Sequence, residues 1–281
     1  MKIIKSIIRF LISIILFFIS VKLQNDKVCL TIAQMINAIA CILLGTSIED
    51  LVNFLKEWPL FFTIKVLLCW DKDIRISFAY LFRIQVEGTY FLIRGNKVNK
   101  FQPVGGVYQK YDGSKSILKD IFQEDDEMKK GNEKDLRGKV KGKNLIKFIH
   151  WFHEGKDREI SCYREFNEEL IKTGILNKNN FENLSYSYLG THKTKIFNSN
   201  YYGNEFLLAD IYELEMNETQ KDEFKKLKEK YDNEVDNSKL DYAFVNSDEI
   251  NACHTNKRKK KSFDNDISNH TFKILNGEFK W

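Results

Sequence analysis

Two charge-free stretches near the N-terminus constrain this chain more than any other feature of its sequence. The first runs from Phe10 to Val21. The second, VCLTIAQMINAIACILLG, covers Val28 to Gly45, and a helix of that length rises about 27 Å, close to the thickness of bilayer hydrocarbon. We therefore predict a transmembrane helical hairpin over residues 1–45, with spans at about 5–22 and 28–45.

Basic residues fix the expected orientation of this hairpin. Lys2, Lys5 and Arg9 precede the first span, which places the N-terminus in the cytoplasm and, after two spans, the rest of the chain there as well. A secretory signal peptide has a similar shape, but no convincing small-residue cleavage site follows. The alternative is a buried helical hairpin of a soluble domain.

A row of polar residues lies within the second stretch. Thr31, Gln34 and Asn37 are three residues apart and so fall along one side of a helix. They are either tolerated where the helix packs against its neighbour, or they form hydrogen bonds between helices and favour self-association in lipid.

The sequence beyond the hairpin is expected to form a domain of mixed α-helices and β-strands in the cytoplasm. Residues 46–71 are expected to form an amphipathic connector, in which Ser47 and Asp50 resemble a capping box. From Arg75 onward, aromatic and β-branched residues predict strands, so residues 72–281 form the main α+β domain. Its charged segment at about 109–143 reads as an exposed inserted loop. Five dispersed cysteines without a CxxC pair argue against a zinc site and against a disulfide framework.

The motif REFNEEL, from Arg164 to Leu170, carries the most chemical information. Its carboxylates Glu165, Glu168 and Glu169 converge on one helix face and repel one another unless a cation lies among them. Hard ions such as Mg²⁺ or Mn²⁺ prefer oxygen ligands, so these residues are the candidate metal ligands. Arg164 is placed to brace a carboxylate or to reach a phosphate. The alternative is a charged, solvated helix face.

These residues resemble the second half of the Nudix box, the signature of a phosphohydrolase family. REFNEE matches it without a mismatch, and QPVGG is similar to the glycine strand end that precedes it. The resemblance implies an α/β/α sandwich. However, Lys156 stands at the position of the first glutamate of the box, His150 at its first glycine and Ile171 at its second glycine. Ordinary hydrolase turnover is therefore less expected than the fold, and no catalytic residue is assigned.

The whole chain is similar to a narrower group, the bacterial CBASS anti-phage effectors with two transmembrane helices and a NUDIX-like domain. The similarity is carried by SFAYLFRIQVEGTYFLIRG, KFQPVGGVYQ, DLRGKVKGKNLIKFIHWFHEGKDREISCYREFNEEL and SNHTFKIL. It implies a membrane effector, a receptor and not an enzyme. A partner CD-NTase makes a cyclic oligonucleotide, which the NUDIX-like domain binds. The hairpins then form a homo-oligomer that disrupts the inner membrane in abortive infection.

A cyclic oligonucleotide contains phosphodiesters and no diphosphate, so usual Nudix cleavage has no target in it. A sensor pocket would still need cations and stacking aromatics. The candidate ligand-binding residues are Gln102, Gly105, Gly106, Tyr108, Arg137, Lys139 and Arg164. The alternatives are that Tyr108 packs in the core and that Arg137 and Lys139 lie in a solvated loop. Two competing functions stay open: a membrane-anchored, Mg-dependent Nudix hydrolase of nucleoside diphosphate derivatives, and an anchored scaffold that binds protein.

Overall fold

The chain divides into two compact units, one reaching to Lys65 and the other beginning at Val66. The computed structural model describes residues 2–23, 30–57, 60–95, 99–124, 134–200, 202–235, 240–255 and 267–275. The basic run 257–261 lies outside the described residues.

The first unit is a pair of long helices, α1 (Lys2–Leu23) and α2 (Leu30–Glu57). By length and composition, Ser6–Leu23 and Thr31–Asp50 are each able to cross a membrane. Helix α2 continues through Gly45, so the cap predicted at Ser47 does not form. The Ser47 hydroxyl instead donates 2.6 Å to the carbonyl of Leu43 inside the helix.

The hairpin buries its small residues and exposes its large ones. The buried positions repeat every seven residues along both helices: Ser6, Ser13 and Ser20 on α1, and Ala33, Ala40 and Ser47 on α2. Large apolar side chains point outward, with Phe18 and Ile42 each 67% exposed. A hairpin inside a soluble domain buries such side chains, whereas small residues at the contact let two helices approach closely in lipid.

Polar contacts join the two helices at one end of this seam. Asp50 accepts hydrogen bonds from Ser6 Oγ at 2.7 Å and from Arg9 Nη2 at 2.8 Å. The row of polar residues predicted to contact a helix does not lie in this seam, since Thr31 and Gln34 are exposed and Asn37 is half-buried. The side chains of Thr31 and Gln34 therefore face away from the seam.

The second unit follows helix α3 (Leu60–Leu68), which ends just inside it, and contains eleven strands among the described residues. The strands are β1 (Asp73–Arg83), β2 (Gln85–Val86), β3 (Thr89–Arg94), β4 (Phe101–Gln102), β5 (Gly105–Val107), β6 (Gln123–Glu124), β7 (Arg137–Lys141), β8 (Ser185–Lys193), β9 (Phe197–Ser199), β10 (Gly203–Glu215) and β11 (Tyr242–Val245). The helices are α4 (Lys115–Leu118), α5 (Gly142–Glu154), α6 (Tyr163–Phe166), α7 (Glu218–Asn233) and α8 (Ser247–Thr255). Short 3₁₀ turns cover Asp112–Ser114, Lys178–Asn180 and Asn269–Ile274, and a π turn, Asn167–Ile171, follows α6.

The strands form two sheets. The larger has the order β6-β7-β1-β10-β8, with β5 also paired to β1 and β9 to β10; β1 and β10 run parallel. The smaller is antiparallel, with the order β11-β3-β2 and β4 paired to β3. The prediction of two N-terminal apolar helices followed by a mixed α and β domain is confirmed.

One face of the large sheet carries an aromatic column that positions the site. Phe78, Tyr80 and Phe82 alternate along β1 and are fully buried. Helix α5 covers one end, where the rings of Phe78 and Phe152 are 4.8 Å apart, and α6 covers the other, where Phe82 and Phe166 are 5.7 Å apart. The sheet thus holds both helices against the same face.

The segment 109–143 is only in part the exposed loop that its charges predict. Its end forms β7, which pairs antiparallel with β1 from Asp73↔Lys141 to Ser77↔Arg137. Leu136 and Val140 are buried, so basic and buried residues alternate as in a half-buried strand. Residues 125–133 lie outside the described part of the chain.

Candidate ligand site beside the glutamate helix

The glutamate helix, defined here as Tyr163–Ile171, joins α6 to the π turn after it. Phe166 and Leu170 are completely buried and fix one side of it to the core. The spacing of these two apolar residues, four apart, is what turns the charged residues between them toward strand β5.

Arg164 is the centre of the site. Its Nε and Nη2 contact the two carboxylate oxygens of Glu159 at 3.0 and 3.1 Å, and Nη1 lies 2.5 Å from Glu165 Oε1. Nη2 also donates to the carbonyl of Val107 at 2.9 Å. All three guanidinium nitrogens are thus engaged with the protein, so this arginine braces the helix against β5 and has little donor capacity left for a phosphate.

Glu159 is a residue of this network that the sequence pattern did not indicate. It is 5% exposed, and its Oε2 also accepts the Gln109 N–H at 3.1 Å. Lys156, which occupies the position of the first glutamate of the Nudix box, is exposed to solvent. Counting back from Arg164 by the box spacing leads to Lys156, whereas the acidic partner lies only five residues before the arginine.

The glycine pair meets the carboxylates in space, although the two are far apart in sequence. The Gly105 N–H donates to Glu169 Oε2 at 2.9 Å, across 64 residues. A Cβ on Gly106 would collide with the carboxylate of Glu165, and one on Gly105, where φ is +147°, would collide with the carbonyl of Tyr80. Glycine at both positions is therefore what lets β5 approach the helix.

Burial shifts the protonation of these carboxylates. It raises the pKa of Glu169 to about 8, against the Gly105 hydrogen bond, and the charges of Glu165 and Glu168 raise it further. Burial also raises the pKa of Glu165, an effect that the neighbouring Arg164 opposes. Enclosing an acid without enough positive charge favours its neutral form, and this effect is strongest at Glu169.

The donor set fits a metal ion poorly in this arrangement. Glu165 is taken up by Arg164 and Glu169 by Gly105, while the side chain of Glu168 is 45% exposed. Within the described residues, no group of three or more His, Cys, Asp or Glu side chains is placed to hold a metal ion. The geometry supports a bracing role for the three glutamates more directly than metal-dependent chemistry.

Tyr108 lies next to this network on the same face of the sheet. It is 1% exposed, and its ring packs against Tyr80 at 4.9 Å between centroids. Its hydroxyl donates to Asp210 Oδ2 at 2.8 Å. Asp210 comes from β10 and was not predicted, because a single aspartate inside an apolar strand carries no motif.

The remaining candidates lie elsewhere. Arg137 and Lys139 pair with Ser77 and Arg75, so their side chains leave the opposite face of the large sheet from Tyr108 and Arg164. Gln102 belongs to β4 in the smaller sheet. The structure therefore brings Gly105, Gly106, Tyr108 and Arg164 together with the three glutamates, and keeps Gln102, Arg137 and Lys139 apart from them.

Comparison with known proteins gives one informative result. A family model described as the SMODS-associated NUDIX domain matches residues 73–275, from the start of β1 to the residue after the last 3₁₀ turn. No curated protein and no solved structure matches the chain.

Proposed function

This chain belongs to the SMODS-associated NUDIX domain family, and from that premise we propose that it is the membrane effector of a bacterial CBASS antiviral system. Its NUDIX-like domain binds a cyclic oligonucleotide made by a partner CD-NTase. Binding drives the transmembrane hairpins to assemble and to disrupt the inner membrane, which ends the infection by abortive death of the cell.

The observation that carries this proposal is the joining of two features in one chain. A hairpin of two helices long enough to cross a membrane exposes large apolar side chains such as Phe18 and Ile42, and a domain of this family follows it after α3. Exposed apolar surface of that extent is unstable in water and suits a lipid environment. Lys2, Lys5 and Arg9 lie in the N-terminal part of α1, and by the positive-inside rule they support an orientation with both termini and the domain in the cytoplasm.

The outward polar residues of α2 suit assembly into a homo-oligomer. Thr31 and Gln34 are exposed on the surface of a helix that we place in lipid, where an amide without a hydrogen-bond partner is costly. Contacts between copies of the hairpin would satisfy the Gln34 amide, with the half-buried Asn37 at the edge of the contact. The small-residue seam would meanwhile hold each hairpin together.

The domain is better suited to sensing than to turnover. The glutamate helix retains its carboxylates, but Arg164 and Gly105 engage two of them, and Lys156 replaces an acidic residue of the box. A phosphodiester ring has no diphosphate bond for Nudix chemistry to cleave. These features support a binding domain built on a hydrolase fold.

Dye release from liposomes tests the proposal. The full chain is reconstituted into vesicles loaded with a fluorescent dye, and a panel of cyclic di- and trinucleotides is added. We expect one member of the panel to cause release, and we expect the double change Gln34→Leu and Asn37→Leu to reduce release at least about tenfold while leaving binding intact. The matched change Ile39→Leu, at an exposed apolar position of α2, keeps release at the wild-type rate.

Two outcomes would contradict the proposal. Release that no cyclic nucleotide triggers would remove the signalling step. Mg²⁺-dependent hydrolysis of a nucleoside diphosphate derivative, abolished by Glu168→Gln, would instead identify a membrane-anchored Nudix hydrolase.

A further inference from the structure

Strand β8 forms one end of the large sheet in the described chain and turns several polar side chains toward the face that carries the aromatic column. Thr191 pairs with Asp210 and Tyr188 with Tyr212, while Lys193 pairs with Leu208. We define the β8 face as Tyr188, Thr191 and Lys193 together with Asp210 and Arg158. It adjoins Tyr108 but contains none of the glutamates of the glutamate helix.

Asp210 anchors the β8 face. It is 7% exposed, and its two oxygens accept hydrogen bonds from Tyr108 at 2.8 Å and from Thr191 at 2.5 Å. Burial raises the pKa of Asp210, whereas these hydrogen bonds and the charges of Arg158 and Lys193 oppose the rise. One carboxylate with both oxygens already bonded thus lies near two basic side chains, Arg158 and Lys193.

Arg158 is held rigidly in a position to meet an anion. Its guanidinium carbon lies 3.9 Å from the centroid of the Phe152 ring. Nε donates to the Phe152 carbonyl and Nη1 to the Glu159 carbonyl, both at 2.6 Å. Among the residues that the structure describes, none accepts a hydrogen bond from Nη2. A guanidinium fixed in this way and with donors left over is preorganised for phosphate, because little conformational entropy remains to be lost on binding.

Lys193 supplies the second cation. The side chain is half-buried, and burial lowers the pKa of Lys193 to about 7, although Asp210 counteracts this. An incoming phosphate favours the charged ammonium and so strengthens its own binding. The glutamate helix offers no comparable cation, because Arg164 is already paired with Glu159 and Glu165.

Tyr188 lies at the rim of the β8 face. This residue is 57% exposed. Its hydroxyl nevertheless forms a hydrogen bond with Thr191 Oγ1 at 2.5 Å, and the centroid of its ring lies 5.6 Å from that of Tyr212. An exposed aromatic ring that is fixed at its far end is a suitable platform for a nucleobase, since stacking needs an open ring face and little rearrangement.

We propose that the β8 face binds one nucleotide unit of the cyclic oligonucleotide, with Arg158 and Lys193 contacting a phosphodiester and Tyr188 stacking on a base. Asp210 is a positioning residue that orients Thr191 and, through it, Tyr188. This inference rests on the proposed function and assigns its ligand to particular side chains. It also separates the ligand from Arg137 and Lys139, which project from the other face of the sheet.

Equilibrium binding to the full chain in lipid nanodiscs tests the assignment. The probes are labelled cyclic di-AMP, cyclic di-GMP, cyclic UMP–AMP and cyclic triadenylate. For the probe that the wild type binds best, we expect Lys193→Gln and Tyr188→Ala each to raise Kd at least about tenfold. Tyr188→Phe keeps the ring and stays within about threefold of the wild type. Lys139→Gln, which removes the same charge from a strand of the same sheet but on its opposite face, leaves Kd unchanged.

Salt dependence provides a readout that a purely structural role of Lys193 would not change. Removing one phosphate contact lowers the slope of log K against log salt by about one, and only Lys193→Gln should do so. The assignment is overturned if Lys193→Gln and Tyr188→Ala both keep the Kd and the salt slope of the wild type while Lys139→Gln loses binding. That result would place the ligand on the other face of the sheet and would leave the proposed function intact. A wild type that binds no probe overturns both.

Discussion

The hairpin and the NUDIX-like domain bury opposite kinds of side chain. Along the hairpin seam the buried residues are small, as at Ser13 and Ala33, while Phe18 is exposed. Along β1 the buried residues are large aromatics, such as Phe78 and Phe82. In water, burial of apolar area drives folding, whereas in lipid it contributes little between helices, so close packing of small residues decides which face is hidden. These two patterns are the ones expected if the hairpin lies in lipid, as proposed, and the domain in water.

Replacing a phenylalanine with alanine should affect stability very differently in the domain and in the hairpin, and this is the largest difference that we expect. Phe166 is completely buried, with ring centroids 5.7 Å from Phe82 and 5.6 Å from Phe181. We expect Phe166→Ala to lower the free energy of unfolding of the domain by about 3–5 kcal/mol, because it opens a cavity in a packed core. Phe18→Ala should change it by less than about 0.5 kcal/mol. Denaturant unfolding of the full chain in detergent, followed by near-ultraviolet circular dichroism, measures both.

An equal loss of unfolding free energy in Phe166→Ala and Phe18→Ala would contradict the contrast between the two regions. It would mean that Phe18 packs into a water-soluble core, and that the hairpin is an element of the folded domain and not a membrane unit. Phe18→Leu, which keeps an apolar side chain at the same exposed position, is the control for nonspecific effects of detergent.

The division between these regions was largely predictable, because it depends on composition. Charge-free stretches indicate membrane helices whatever their detailed packing, and REFNEE is a local pattern on one helix. The seam was not predicted, because the amides of Gln34 and Asn37 are a more obvious signal of a helix contact than serines seven residues apart. Such spacing predicts a contact only once the helices are known to pair.

Overpacking of the seam is expected to have an intermediate effect. Ser13 is 2% exposed between the helices, so Ser13→Leu introduces a side chain for which there is no room. We expect the hairpin to lose about 1–3 kcal/mol of stability. The measurement is an SDS titration of the reconstituted chain, followed by fluorescence energy transfer between labels on α1 and α2. Ile15→Leu, at a position 57% exposed, serves as the matched control and should leave the midpoint unchanged.

An SDS midpoint in Ser13→Leu equal to that of the wild type would show that the seam of small residues does not hold the two helices together. The outward residues of α2 would then have to account for the pairing, and the contrast between small buried and large exposed residues would lose its physical basis.

The site was less predictable than the fold, for a physical reason. Gly105 and Glu169 are 64 residues apart and meet only because β5 and the glutamate helix lie against the same strand. Glu159 and Asp210 owe their roles to burial beside Arg164 and Tyr108, and burial of a single acidic residue leaves no trace in sequence spacing. Whether the seven predicted ligand residues touch the ligand stays a prediction.

A final expected effect concerns a charge buried in the NUDIX-like domain. The pKa of Glu169 is raised by burial to about 8, from an ordinary value of 4.5. Between these two values the folded protein holds a proton that the unfolded chain has released, so stability falls as pH rises through this window. Glu169→Gln cannot ionise and lacks this contribution. In EDTA, we expect its unfolding free energy relative to the wild type to increase from pH 5 to pH 8, by up to about 3 kcal/mol for a pKa raised from 4.5 to about 8.

Chemical denaturation at a series of pH values measures this difference, and Glu168→Gln is the control. Because the charge of Glu168 raises the pKa of Glu169, Glu168→Gln should keep the fall in stability but move it to lower pH, whereas Glu169→Gln should remove it. Parallel profiles for Glu169→Gln and the wild type would mean that Glu169 is ionised in the folded domain. A negative charge beside Gly105 would then need a cation to balance it, and addition of Mg²⁺ should stabilise the wild type but not Glu169→Gln.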